Sequence, residues 1–182
     1  MATKIQVNFL PLGEDRIKDA VIFLQKGLKK EPLAFAHEKK VSTEENGLHL
    51  LLKEGKGIIA EYEKTTKDPA TNKDVVKKVI VGIVVFSVDK GDVYCHNGYI
   101  RMIYISSSRR QRTGQILIDM AFEELKNAEV TNIFLHIVGT HDNNAFRFFR
   151  KNGFACNGYY KNYIRWAVES HDMTIMLKEL PE

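Results

Sequence analysis

Apolar and polar residues alternate along Lys4–Leu10, the period of two that a half-buried strand imposes. After Gly13-Glu14-Asp15 the period changes. Ile17, Ala20, Val21, Leu24 and Leu28 recur at helical spacing, which predicts a helix running to about Lys29. Glu31-Pro32-Leu33 breaks it, because proline cannot continue the hydrogen-bond ladder. A second helix opens at Ser42-Thr43-Glu44-Glu45, carries Leu48, Leu51 and Leu52 on one face, and ends at Gly55 and Gly57. Two β-rich runs follow, Gly57–Glu63 and Lys78–Asp89. The polar stretch Lys64–Lys77 between them, with Asp68-Pro69 and Asn72, predicts a hairpin with an elongated, mobile tip.

Tyr99–Ser106 is a further strand, and Arg110–Asn127 a helix with Leu117, Met120, Ala121 and Leu125 on its buried face. Asn132–Val138 is a strand, and Asn143–Asn152 a helix stopped by Gly153. Gly158–Ile164 and Met173–Leu180 read as a closing hairpin. The order β α α β β β α β α β β predicts a mixed sheet with helices against it, in the α/β (α+β) class. The sequence contains no internal repeat, low-complexity tract or linker. Its 182 residues suit one domain, residues 1–182.

Composition narrows the function classes. Hydrophobic residues make up 44% and charged residues 27%, an ordinary globular balance. A formal charge of +4 is too small to imply a nucleic-acid binder, but it suits an anionic ligand if the charge is local. The two cysteines, Cys95 and Cys156, form no C-x-x-C pair. That argues against a zinc site or disulfide framework and for a reducing compartment, the cytoplasm. The first residues lack the apolar core of a signal peptide, and the longest apolar run, Val79–Phe86, is far too short to span a membrane.

One junction carries candidate chemistry. The apolar strand containing Ile103, Tyr104 and Ile105 leads through Ser106-Ser107-Ser108 into Arg109-Arg110-Gln111-Arg112-Thr113-Gly114-Gln115 and an apolar helix. The first turn of a helix has backbone N–H groups without partners and the positive end of the dipole. A pyrophosphate satisfies both, and neighbouring arginines add charge. Gly114 would let the backbone approach such a ligand. A solvated basic turn capped by serine is the plainer alternative.

Arg109-x-x-Arg112-x-Gly114 resembles the Gln/Arg-x-x-Gly-x-Gly/Ala loop of the GCN5-related N-acetyltransferase superfamily. Asn143-Asn144-Ala145-Phe146-Arg147-Phe148-Phe149-Arg150-Lys151-Asn152-Gly153-Phe154 is similar to that family's Asn-Ala-x-x-x-Tyr-x-x-x-Gly-Phe helix. The order of strands and helices matches over nearly the whole chain. The resemblance implies a central mixed, mostly antiparallel sheet of about seven strands flanked by four helices. It implies acetyl-CoA as co-substrate, direct transfer to an amine in a ternary complex, and no metal. It implies that the loop residues, with Asn143 or Asn144, hold the cofactor. Backbone groups near Ile103 and Ile105 would bond the pantetheine arm and polarise the acetyl carbonyl.

The sequence departs from this pattern twice. Arg112 replaces the loop's first glycine, and a positive φ there would count against the match. Phe149 stands where the family often has a tyrosine that protonates the leaving thiolate, and phenylalanine has no proton to give.

Lys30-Glu31-Pro32-Leu33 is similar to a segment of insect-type arylalkylamine N-acetyltransferases, in which the glutamate is the general base. An alkylamine has a pKa of roughly 10 and is mostly ammonium at neutral pH, so a base is needed. Glu31 is otherwise a surface residue at a helix end. His136 is a possible proton relay or a satisfied sheet histidine. Tyr104 reads as a packed aromatic, and Asp142 and Asn143 as helix caps. Cys156 is a remote candidate for an acyl-carrying nucleophile. Tyr159, Tyr160, Tyr163 and Trp166 read mostly as core, with part lining an acceptor pocket. The leading expectation is an N-acetyltransferase acting on a small arylalkyl- or polyamine, monomeric or homodimeric, without nucleic-acid or membrane partners. The alternatives are a protein or peptide N-acetyltransferase and a catalytically weak CoA-binding protein.

Overall fold

A computed structural model describes residues 6–30, 45–89, 96–106, 110–139, 144–166 and 169–180. Strand β1 (Asn8–Pro11) leads through a short 3-10 turn, Glu14–Arg16, into α1 (Ile17–Lys30). Then come α2 (Glu45–Glu54), β2 (Gly55–Lys67), β3 (Asp74–Val88), β4 (Asn97–Ile105), α3 (Arg110–Asn127), β5 (Asn132–Val138), α4 (Asn144–Lys151), β6 (Ala155–Trp166) and β7 (Glu169–Glu179). The seven strands form one sheet in the order β1-β2-β3-β4-β5-β7-β6. Every pairing is antiparallel except β4–β5. The mixed class and, among the described residues, the strand and helix numbers agree with the sequence pattern.

Two apolar cores lie on opposite faces of the sheet. Ile17, Ala20, Leu24 and Leu48 of α1 and α2 pack on Ile59, Ile83, Val85, Met102 and Tyr104. Leu117, Ile118, Ala121 and Leu125 of α3, with Phe149 of α4, pack on Ile58, Val84, Ile100, Ile133 and Leu135. Burial on both faces explains why Val79–Phe86 is a continuous apolar run and not an alternating one.

The structure corrects the sequence reading in two places. Lys64–Lys77 is mostly strand, since β2 runs on to Lys67 and β3 begins at Asp74. Only the tip turns. The Asp68 carboxylate accepts hydrogen bonds from the backbone N–H of Ala70 (2.8 Å) and Thr71 (2.9 Å), the local bonding that makes aspartate a turn former. The tyrosines of β6 are not core: Tyr159, Tyr160 and Tyr163 are 46%, 46% and 61% exposed. β6 is an edge strand, and its register shifts between Tyr160 and Ile164. The Trp166 side chain lies outside the described residues.

Candidate active site

The site begins with one extra residue. Across β3–β4, Phe86 pairs with Ile100 and Val85 with Met102, so Arg101 is a bulge. A bulge bends its strand and increases the local twist. It also switches the faces: Ile100 belongs to the α3-side core, Met102 and Tyr104 to the α1-side core. Arg101 Nε donates to Ser87 Oγ at 2.9 Å, and its guanidinium lies 4.7 Å above the Tyr99 ring.

The bulge falls where β4 leaves β5. Their parallel ladder runs from Asn97/Asn132 to Ile100/Leu135 and stops. β4 continues on β3 to Ile105, and β5 continues on β7 to Val138. A V-shaped opening results, flanked by Arg101–Ile105 and His136–Val138. The β4–β5 ladder does not extend to these residues. The chain leaves β4 at this open end and enters α3 at Arg110. The opening and a helix N-terminus are therefore neighbours.

Ile103 and Ile105 are half-buried against the α3-side core. Tyr104 points to the other face, 7% exposed, with its ring 5.2 Å from that of Phe23. Gly27 of α1 permits this, because a Cβ at position 27 would overlap the Tyr104 ring. His136 is the first β5 residue beyond the last pair. It is exposed on the face opposite to the buried Leu135 and Ile137.

The loop is only partly within the described residues. Arg109, like Glu31 and Asn143, lies outside them, and Arg110 and Gln111 are described as backbone alone. Arg112 is exposed and holds φ 66°, the left-handed conformation that glycine adopts without strain. Thr113 is buried. Gly114 has a packing role on its inner side. A Cβ there would stand 2.8 Å from Ile105 Cδ1 and 3.7 Å from the Phe148 ring, so this glycine seats α3 on β4. Gln115 is also engaged: its Nε2 donates to Asn152 Oδ1 (2.6 Å) and Asp119 Oδ1 (2.8 Å), tying α3 to the end of α4.

Asn144 is exposed at the start of α4. Phe149, 4% exposed, packs edge-on against Phe148 and Phe154, with centroids 5.2 and 5.4 Å away. Cys156 is exposed on β6, two strands from the opening, which counts against a role as acyl carrier. Among the described residues there is no cluster of three or more metal-ligating side chains, and no helix is long and apolar enough to cross a membrane.

Sequence reasoning missed a second feature of this end of the sheet. A cavity of about 380 Å³ lies between α1 and β3–β4 and reaches Tyr104 and Ser106. Its rim includes Lys26, Lys30, Lys77 and Lys78. Residues from separate elements meet here, so no local pattern in the chain announces them.

A mixed sheet that opens between parallel strands beside a helix N-terminus agrees with the fold that the resemblance to the GCN5-related N-acetyltransferases implies. The acetyltransferase (GNAT) family model matches residues 31–154. The chain belongs to that family and is an N-acetyltransferase, with acetyl-CoA the donor that the family implies. The positive φ at Arg112 therefore does not exclude the match; it keeps the backbone conformation that a glycine would allow. The fold is similar to that of a GNAT-family acetyltransferase from Streptococcus pneumoniae, at 15% identity and TM-score 0.72, covering 97% of this chain and 100% of that one. It is likewise similar to an N-acetyltransferase from Staphylococcus aureus Mu50, at 10% identity and TM-score 0.72, covering 97% and 99%. A ribosomal-protein-alanine N-acetyltransferase from Brucella melitensis aligns at 15% identity and TM-score 0.70, covering 95% and 99%. At these identities the likeness is one of fold. A search of curated proteins gave no match.

Proposed function

We propose that the whole chain is one cytoplasmic acetyltransferase domain that transfers acetyl from acetyl-CoA to the primary amine of a small molecule. The carrying observation is the opening beyond Ile100 and Leu135 beside the start of α3. A pantetheine arm has amides that suit the strand edges there, and a pyrophosphate suits the N–H groups of a helix start. Arg109, Arg110, Gln111 and Arg112 would hold the phosphates, with Thr113 inside the first turn. Asn143 or Asn144 would add a polar contact from the next helix.

Bound acetyl-CoA supplies an activated acyl group and a thiolate leaving group. The chain's own residues do the rest. Backbone N–H groups near Ile103–Ile105 polarise the acetyl carbonyl. Glu31, directly or through water, takes the ammonium proton, and the amine then attacks as the C–S bond breaks. His136, exposed beside the opening, is the candidate relay. Phe149 offers no proton, so water or another donor protonates the thiolate. The Phe23 and Tyr104 rings favour an aryl- or alkylamine as acceptor.

Phe149 also favours a second reading, a CoA-binding protein with weak turnover. Thiol release from acetyl-CoA across a panel of small amines and basic peptides separates them. Turnover on small amines supports the enzyme reading. Turnover on peptides alone moves the acceptor to protein. Saturable CoA binding with no thiol release on any acceptor replaces the enzyme reading with the binding one.

A further inference from the structure

We infer that the cavity between α1 and β3–β4 recognises an anionic group on the acceptor, so that the substrate is an amine that also carries a carboxylate or phosphoryl group. The inference rests on the proposed small-amine reading and names its substrate class. The cavity holds about 380 Å³, room for a small ligand, and touches β4 at Tyr104 and Ser106, where β4 has left β5. An acceptor placed there lies beside the opening proposed for the thioester.

The charges decide what the cavity prefers. Arg16, Lys78, Asp19 and Glu61 balance one another. Arg16 lies 3.2 Å from Asp19 and 2.5 Å from the buried Glu61, and Lys78 lies 3.8 Å from Glu61. Three ammonium groups remain on the rim: Lys26 and Lys30 from α1, and Lys77 from β3. None of the three makes a salt bridge among the described residues, although the charge of Lys77 is felt by Asp68 at the hairpin tip. Among the described lining residues Asp19 is the sole carboxylate, and Arg16 already engages it. A polyamine would meet net repulsion from these described side chains. A ligand with an anion at one end and an amine at the other places the anion among the lysines. Exposed ion pairs are each worth a factor of only a few, so the preference is cumulative and salt-sensitive.

The test is acetyl transfer to matched pairs, phenylalanine against phenethylamine and phosphoethanolamine against ethanolamine, with spermidine as the polycation. The expected result is at least about tenfold higher kcat/KM for the anionic member of one pair, falling as salt is raised. That margin should disappear in Lys26→Ala/Lys77→Ala with the acetyl-CoA KM unchanged, and persist in Lys126→Ala. Whichever pair shows the margin tells carboxylate from phosphoryl. Preference for the members that lack an anionic group, or for spermidine, overturns the inference, as does a margin that survives the double substitution. A double variant that loses acetyl-CoA affinity also overturns it, because the lysines then serve the donor. If no amine is acetylated, the small-amine reading itself fails. The cavity is then read by calorimetry: N-acetylphenylalanine binding at least about tenfold tighter than N-acetylphenethylamine, with the difference lost in the double variant, sustains anion recognition. Equal or undetectable binding ends it.

Discussion

Ile100 and Leu135 are the last partners across the parallel β4–β5 seam, and the very next residue of β4, Arg101, is the bulge in its ladder with β3. The bulge and the opening are one structural event. The strand keeps its bonds to β3 only by turning its other edge away from β5.

Hydrogen exchange tests the opening directly. Saturating coenzyme A should slow amide exchange in Arg101–Ile105 and His136–Val138 and leave the edge strand at Ala155–Tyr160 unchanged. Equal rates with and without coenzyme A would remove the opening as the cofactor channel.

Arg112 holds φ 66° with an L side chain. Arg112→Gly should raise stability by about 1 kcal/mol in urea titration, because the left-handed strain of that order is relieved. The same substitution should raise the acetyl-CoA KM about tenfold if the guanidinium bonds phosphate. Arg112→Ala should raise the KM without the gain in stability. An unchanged KM in both would withdraw Arg112 from the phosphate loop.

Glu31→Gln should depress kcat most near neutral pH and recover partly toward pH ~10, where the amine is already deprotonated. A uniform loss across pH would remove Glu31 as the base.

The Arg16–Glu61 pair is largely enclosed, with side chains 14% and 3% exposed. Glu61→Ala should destabilise the fold by about 3–5 kcal/mol, because it strands the guanidinium charge. Arg16→Met with Glu61→Leu should recover most of that loss. A Glu61→Ala variant of normal stability would show that the pair is hydrated.

On the edge strand, the Tyr159 hydroxyl donates to Asp172 Oδ2, and the Asn162 N–H donates to Asp172 Oδ1 at 2.8 Å. The tyrosine bond first, then the backbone bond, holds the Asp172 carboxyl below its ordinary range. The same bond holds the Tyr159 phenol above its ordinary range. Asp172 therefore contributes stability above the unfolded carboxyl pKa of about 4, and loses it as pH falls through the lower folded value. Tyr159 contributes below about pH 10 and loses that contribution as pH rises through its higher folded value. Tyr159→Phe should flatten both limbs of a melting-temperature profile. An unaltered profile would mean that solvent screens the pair.

Much of the fold was legible because local patterns carry it. α3 and β5 have the bounds that periodicity set, Arg110–Asn127 and Asn132–Val138. The Lys64–Lys77 segment misled because its polar residues extend a two-stranded arm that projects beyond β4 and so has no apolar core to face. The tyrosines of β6 misled because composition cannot say which strand is at an edge.

By itself, the sequence determined the element order and placed a basic loop, Arg109–Gly114, between a strand and a helix; with the Asn143–Phe154 segment it carried the family resemblance that implies the donor. These depend on neighbours a few residues apart, where periodicity and helix-start chemistry act. The tertiary structure decided the rest. It turned Gly114 into a packing glycine against Ile105, committed Gln115 to Asn152, and pointed Tyr104 toward α1. The last follows from the bulge at Arg101, since one extra residue exchanges the faces of every residue after it. Register is a long-range quantity, fixed by pairing partners far along the chain, and no local pattern encodes it.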